Sequence, residues 1–298
     1  RDCLLSRGLG DVYKRQKLSP AFKDYLWGGT KLRDVYGKKC DYDKVAESWE
    51  LSCHKDGPSV VADGEYKGLT LNEYIEKAGK GVLGKNCERF ENFPILIKLI
   101  DAKDNLSVQV HPDNDYAMRV EGEYGKTEMW YVVDCDEGAT LLYGFKHEIT
   151  KEEFARRIAD NTLLEVTNAV PVKKGDVFFI KSGTLHAIGK GILIAEIQQN
   201  SNTTYRIYDY GRVGKDGKPR ELHVDKALDV TKLAPAEQYP ETPVEKKDGY
   251  DIKLLSKCEY FTTYRVNVET KAELDADENS FNSILVLEGE PVISGGET

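Results

Sequence analysis

The sequence predicts an all-β fold, a closed barrel or double-sheet jelly roll with helical insertions, followed by a shorter C-terminal β segment. Three observations carry this. Short strand-like stretches recur from residue 93 to 212 with glycines Gly175, Gly183, Gly189 and Gly191 at their corners. Several of these stretches alternate apolar and polar residues, the period of a strand with two unlike faces. Helical stretches are few and short, as insertions between strands would be.

Taken in order, residues 1–16 (RDCLLSRGLGDVYKRQ) show no clear periodicity and resemble translated adaptor sequence. They are expected to be a non-native, disordered tail. ESWELSCH (47–54) reads as a strand with Trp49 and Leu51 on one face and Ser48, Glu50 and Ser52 on the other. LTLNEYIEKAG (69–79) reads as a helix with Thr70 as N-cap, Glu73 completing a capping box and Gly79 at its end. FPILIKLIDA (93–102) is a nearly continuous apolar strand, suited to burial on both faces. DNDYAMRVEGEYG (113–125) reads as a helical or irregular insertion closed by Gly125. KTEMWYVVDC (126–135) and TLLYGF (140–145) are strands, and EITKEEFARRIADNTL (148–163) is a helix capped by Thr150 and Glu153. Strand, turn and strand then repeat through 170–199 and extend over 203–212, and 222–230 forms a helix. The Pro-, Glu- and Lys-rich stretch 231–248 reads as a linker. Strands resume after it, and a β-domain over 236–298 is expected to stop before its last strands.

Composition narrows the function classes. The chain has 298 residues, a net charge of −9 and no dense basic run, which argues against nonspecific nucleic-acid binding. No apolar run is long enough to span a bilayer, and no secretory signal is recognisable in the first residues given, so none is expected. The six cysteines form no CxxC pair, so free thiols in a reducing cytoplasm are expected rather than a disulfide framework or a cysteine metal site.

The chemistry concentrates around LSVQVHPDNDYA (106–117). Ser107, Gln109 and His111 alternate with Leu106, Val108 and Val110, so the three polar groups share a face. Pro112 ends regular pairing just after His111. Glu128 follows one strand-turn-strand step later, His186 lies at a strand edge in SGTLHAIG, and Glu196 sits in the otherwise apolar IAEIQQ. Two histidines, a carboxylate and a glutamine on neighbouring strands would suit zinc, with iron or manganese as alternatives. Taken singly, His186 reads better as a buried structural histidine and Glu128 as a solvated strand residue. His54, His147 and His223 have no such company.

In this order, SVQVHPD, GKTEMWY, GDVFFIKSGTLHAIG, AEIQQNS and TTYRIYDYGR resemble the cupin-fold mannose-6-phosphate isomerases in their short bacterial form. WGGTKLRD and the helix near 223–230 also match, so the resemblance spans residues 17–298. It implies a catalytic cupin domain over 17–235 and a cupin-like domain over 236–298. It implies a zinc enzyme interconverting mannose 6-phosphate and fructose 6-phosphate. Gln109, His111, Glu128 and His186 match the zinc ligands, Arg206 matches the catalytic arginine, Lys126 and Glu196 match residues around the substrate, and Ser107 matches a serine near the phosphate or sugar.

Such an isomerisation passes through a cis-enediol and needs a base, an acid and stabilisation of negative charge on two oxygens. Arg206 can supply a fixed cation. Glu196 is a candidate base because burial favours a protonatable carboxyl, and equally a partner orienting His186. Lys126 could hold the phosphate or relay a proton, and Arg212 could contact the phosphate. Two other readings remain at this point: an iron-dependent cupin oxygenase and a non-catalytic sugar-phosphate-binding cupin.

Overall fold

The structure, a computed structural model, describes residues 3–9, 12–214 and 217–294. The chain divides into two compact units, one made of Arg1–Phe22, Ser48–Lys98 and Pro240–Thr298, the other of Lys23–Glu47 and Leu99–Tyr239. The chain opens with β1 (Cys3–Leu9), β2 (Val12–Ser19), β3 (Ala21–Lys23), α1 (Lys31–Asp34), β4 (Glu47–Leu51), β5 (Val60–Val61) and α2 (Leu71–Ala78). The middle holds β6 (Ile95–Ala102), β7 (Val108–Val110), α3 (Asn114–Val120), β8 (Glu128–Cys135), β9 (Thr140–Phe145) and α4 (Lys151–Ala159). Then come β10 (Thr167–Pro171), β11 (Val177–Ile180), β12 (His186–Ala187), β13 (Ile192–Gln199), β14 (Tyr205–Tyr208) and α5 (Val224–Val230). The last strands are β15 (Val244–Lys247), β16 (Tyr250–Lys257), β17 (Thr262–Val268) and β18 (Asn282–Leu285).

The unit built around residues 99–239 is the predicted double-sheet body. The sheet β10-β9-β12-β7-β14 lies wholly within it, as do strands β11, β8 and β13 of the second sheet, whose order is β11-β8-β13-β6-β4-β3. Trp130, Val132, Ile192 and Ile194 of the second sheet share a core with Leu141 and Tyr143 of the first. On the other face of the five-stranded sheet, Val108, Val110, Tyr205 and Ile207 pack with Phe154 of α4 and Ala227 of α5. The alternation has the expected sense over 108–110, where the valines face the helices and Gln109 the opposite side of the sheet, but Leu106 departs from it and packs in the core between the sheets, because it lies ahead of the paired stretch. Regular pairing is shorter than expected, 108–110, because Pro112 cannot continue the ladder.

Other elements follow their local signals closely. Thr70 and Glu73 form the capping box of α2, and Thr150 caps α4 through the Glu153 backbone N–H. The α4 helix stops at Ala159 rather than 163, because Asn161 turns into the left-handed region at φ 56°.

The other unit departs further from expectation. Among the described residues of 1–16 the expected free tail is replaced by paired strand: Cys3–Leu9 pairs antiparallel with Val12–Leu18, and its Cys3–Ser6 part with Asn282–Leu285, in the sheet order β18-β1-β2-β5. Arg1, Asp2, Gly10 and Asp11 of that expected tail, and residues 295–298, lie outside the described residues. The second body also differs from a serial domain after residue 235. The C-terminal strands, including the sheet β15-β16-β17, share their unit with 1–22 and 48–98, since strand partners distant in sequence decide unit membership. Strand β4 is buried on both faces rather than one. Its polar residues pair internally, with Ser48 Oγ donating to Glu50 Oε1 at 2.6 Å.

Candidate metal centre

Long-range register assembles the site. Gln109 is the Cα partner of His186 on β12 and of Arg206 on β14, so Arg206, Gln109 and His186 form one row across three adjacent strands. In the other sheet Glu128 on β8 faces Gln198 on β13, and Trp130 faces Glu196. The two sheets meet where the Trp130 ring lies edge-on to His186 at 5.3 Å.

His111, Glu128 and His186 are buried and offer ligand atoms within 4.8 Å of one another. The two imidazole Nε2 atoms are 3.1 Å apart. Glu128 Oε2 lies 3.6 Å from His111 Nε2, and Glu128 Oε1 lies 3.4 Å from His186 Nε2. Donors held at zinc bond lengths on a tetrahedron stand about 3.4 Å apart, so these separations fit a divalent metal ion. Gln109 joins them with its amide nitrogen 3.4 Å from His186 Nε2. Ligation by its oxygen needs the flipped amide.

The imidazole of His186 is oriented from behind. Its Nδ1 donates to the Thr184 carbonyl at 2.8 Å, which leaves Nε2 with its lone pair toward the cluster. Burial pushes His186 down to about 4, so the ring is neutral and able to ligate at neutral pH. Gly183 sets up this turn at φ +83°, donating its N–H to the His111 carbonyl at 2.8 Å. A Cβ there would lie 2.8 Å from the Val230 carbonyl oxygen.

Lys126 is buried with Nζ 3.4 Å from Glu128 Oε2. Burial lowers its proton affinity, but Glu128, Glu196 and Glu47 more than offset that and hold it protonated. Glu196 is buried and accepts a hydrogen bond from the Trp130 indole N–H at 2.9 Å. The Thr184 carbonyl holds the His186 ring at Nδ1, and Glu196 acts on that ring through its charge.

Arg206 donates from Nη1 to the Glu221 carbonyl at 2.9 Å, while its buried Nε has no hydrogen-bond partner among the described residues. Burial and neighbouring Arg220 lower its proton affinity, yet a guanidinium remains charged. Beside it, Asp209 is shared by Arg212 and Arg220, two cations on one carboxylate. Ser107 is buried just ahead of β7 and is placed only by its position in the chain.

The match to the catalytic domain of type I phosphomannose isomerase covers residues 15–138. The mannose-6-phosphate isomerase ManA of Bacillus subtilis (strain 168) is 41% identical over 279 residues, 93% of this chain and 87% of the relative. The chain belongs to the mannose-6-phosphate isomerase family. The mannose-6-phosphate isomerase of Streptococcus mutans is likewise 41% identical, over 84% of this chain and 77% of its own. The crystal structure of the mannose 6-phosphate isomerase from Bacillus subtilis matches with a TM-score of 0.80 at 38% identity, covering 90% of this chain and 81% of that one.

Within this isomerase scaffold, three contributors escaped the sequence reading. Thr184, two residues before His186, acts through its backbone. Trp130 was legible only as a strand residue. Gln198 follows Glu196 at strand period and could have been found by extending that alternation.

Proposed function

We propose that the chain interconverts mannose 6-phosphate and fructose 6-phosphate as a zinc-dependent enzyme, through a cis-enediol. The observation that carries this is the His111–Glu128–His186 cluster at metal-ligand separations, with Arg206 in the same strand row, in a member of this family. Gln109 is the fourth candidate ligand. When bound, zinc would polarise the two substrate oxygens as a Lewis acid.

The chain's own groups divide the remaining work. Arg206 offers a permanent cation to the negative charge that develops on the enediol oxygens. Glu196, held by the Trp130 indole, is the candidate base that moves a proton between C1 and C2. Lys126 balances the charge of Glu128 and stands by as a proton donor. Arg212 and Arg220 exceed the charge of Asp209 and extend the positive field of Arg206 toward the substrate phosphate, while Ser107 is a further candidate contact for sugar or phosphate. The oxygenase alternative rests on the same two-histidine, one-carboxylate chemistry, but family membership favours the isomerase.

Among the described residues no helix is long and apolar enough to cross a membrane. Cys40, Cys53, Cys87, Cys135 and Cys258 are unbridged, which suits work in a reducing cytoplasm.

A coupled assay of fructose 6-phosphate formed from mannose 6-phosphate tests the reading. Activity should be lost to a chelator and restored by zinc, and His111→Ala should lose both zinc and turnover. A folded protein with stoichiometric zinc and no turnover would overturn the catalytic reading in favour of a binding module.

A further inference from the structure

We propose that Gln198 determines substrate specificity, its side-chain oxygen accepting a hydrogen bond from the sugar hydroxyl on C3, next to the two reacting carbons. The inference rests on the isomerase reading above. Gln198 is fully buried and is the Cα partner of Glu128, so both side chains leave the sheet on the same face, beside the candidate metal donors. Its amide cannot be turned over: Nε2 donates to the Gln199 carbonyl at 2.7 Å and to the Ser201 carbonyl at 2.6 Å, two acceptors that an oxygen could not satisfy. The orientation of Oε1 is therefore fixed, and Oε1 has no hydrogen-bond partner among the described residues.

The two carbonyl contacts account for the nitrogen, which pins the chain as it leaves β13. They do not account for a buried acceptor left over on the same group, a costly arrangement unless a donor from outside the chain, an ordered water or a ligand hydroxyl, completes it. The donor must be neutral or cationic and must reach a place beside Glu128. If O1 and O2 of the sugar occupy the metal-facing side, the first remaining donor along the carbon chain is the hydroxyl on C3. A site built to hydrogen-bond a substrate hydroxyl rejects the analogue that lacks it, because its own acceptor then stays unsatisfied.

The test compares kcat/KM for mannose 6-phosphate and its 3-deoxy analogue in the wild type and in Gln198→Met, which keeps an unbranched side chain of similar length and removes the amide. The wild type should disfavour the 3-deoxy analogue by about a hundredfold, and Gln198→Met should reduce that ratio to within about threefold. Zinc content by elemental analysis should match the wild type. The ratio is independent of the fraction of variant that folds. A wild-type ratio within about threefold refutes the inference whatever the variant does, as does a variant that keeps the wild-type ratio. Loss of zinc with loss of turnover in the variant would make Gln198 a support for Glu128 and overturn its substrate role. A wild type inert toward mannose 6-phosphate removes the isomerase reading and this inference with it, whereas an active wild type with an unchanged ratio removes this inference alone.

Discussion

Replacing Lys126 by methionine removes one buried cation from a group of three carboxylates and keeps most of the side-chain volume. Lys126 Nζ lies 3.4 Å from Glu128 Oε2, and Glu196 and Glu47 also act on it. At an effective dielectric of about 20, a pair at that distance attracts by about 5 kcal/mol before the cost of desolvation. The net loss on leaving the partner buried and uncompensated is about 3–5 kcal/mol. With about 2–4 °C per kcal/mol for domains of this size, the melting temperature of the metal-free protein should fall by about 10 °C. Thermal unfolding followed by circular dichroism, in chelator and again in excess zinc, measures this. Zinc brings positive charge back beside Glu128, so the deficit of Lys126→Met should shrink by more than half when the metal is present. Equal melting temperatures for wild type and variant in chelator would refute the charge balance assigned to Lys126. A deficit that zinc does not reduce would refute the placement of the metal beside Glu128.

Arg206→Ala should retain zinc by elemental analysis while kcat falls about a hundredfold or more, as for loss of a preorganised charge; loss of the metal would make Arg206 structural. Thr70→Ala removes the cap on the Glu73 backbone N–H of α2 and should cost about 1 kcal/mol in denaturant unfolding. His223 contributes a pH dependence. Burial lowers its pKa, and its Nδ1 accepts from the Arg206 backbone N–H at 3.1 Å, a bond that only the neutral ring can make. The unfolded chain therefore binds the proton first, and the stability contributed by neutral His223 is present above the ordinary value of 6.5 and is lost as pH falls below it toward the folded-state pKa. The stability gap between wild type and His223→Gln should narrow from pH 7.5 to 5.5 in urea titrations; a constant gap would sink this account.

The outline of the barrel was legible because its signals are local. Period-two alternation placed Val108 and Val110 opposite Gln109, continuous apolarity marked β6 for burial, and the Thr70 and Thr150 caps located the starts of α2 and α4. The end of α4 was misplaced because the left-handed turn at Asn161 stops it earlier than the apolar pattern does. The candidate ligands His111, Glu128 and His186 were found through motif order and a family resemblance, since each alone reads as an ordinary strand or core residue.

The sequence by itself determined which residue types alternate, where helices start and which polar groups lie on faces that should be apolar. Those properties depend on neighbours a few positions away. Only the tertiary structure decided which rows coincide: Arg206 beside Gln109 beside His186, Glu128 beside Gln198, and Trp130 hydrogen-bonded to Glu196. It also decided that Cys3–Ser6 pairs with Asn282–Leu285. Strand pairing joins backbone groups that any residue except proline carries, so partners hundreds of positions apart leave little local mark in composition or period. Their choice comes from how the whole chain satisfies its buried hydrogen bonds and closes its core.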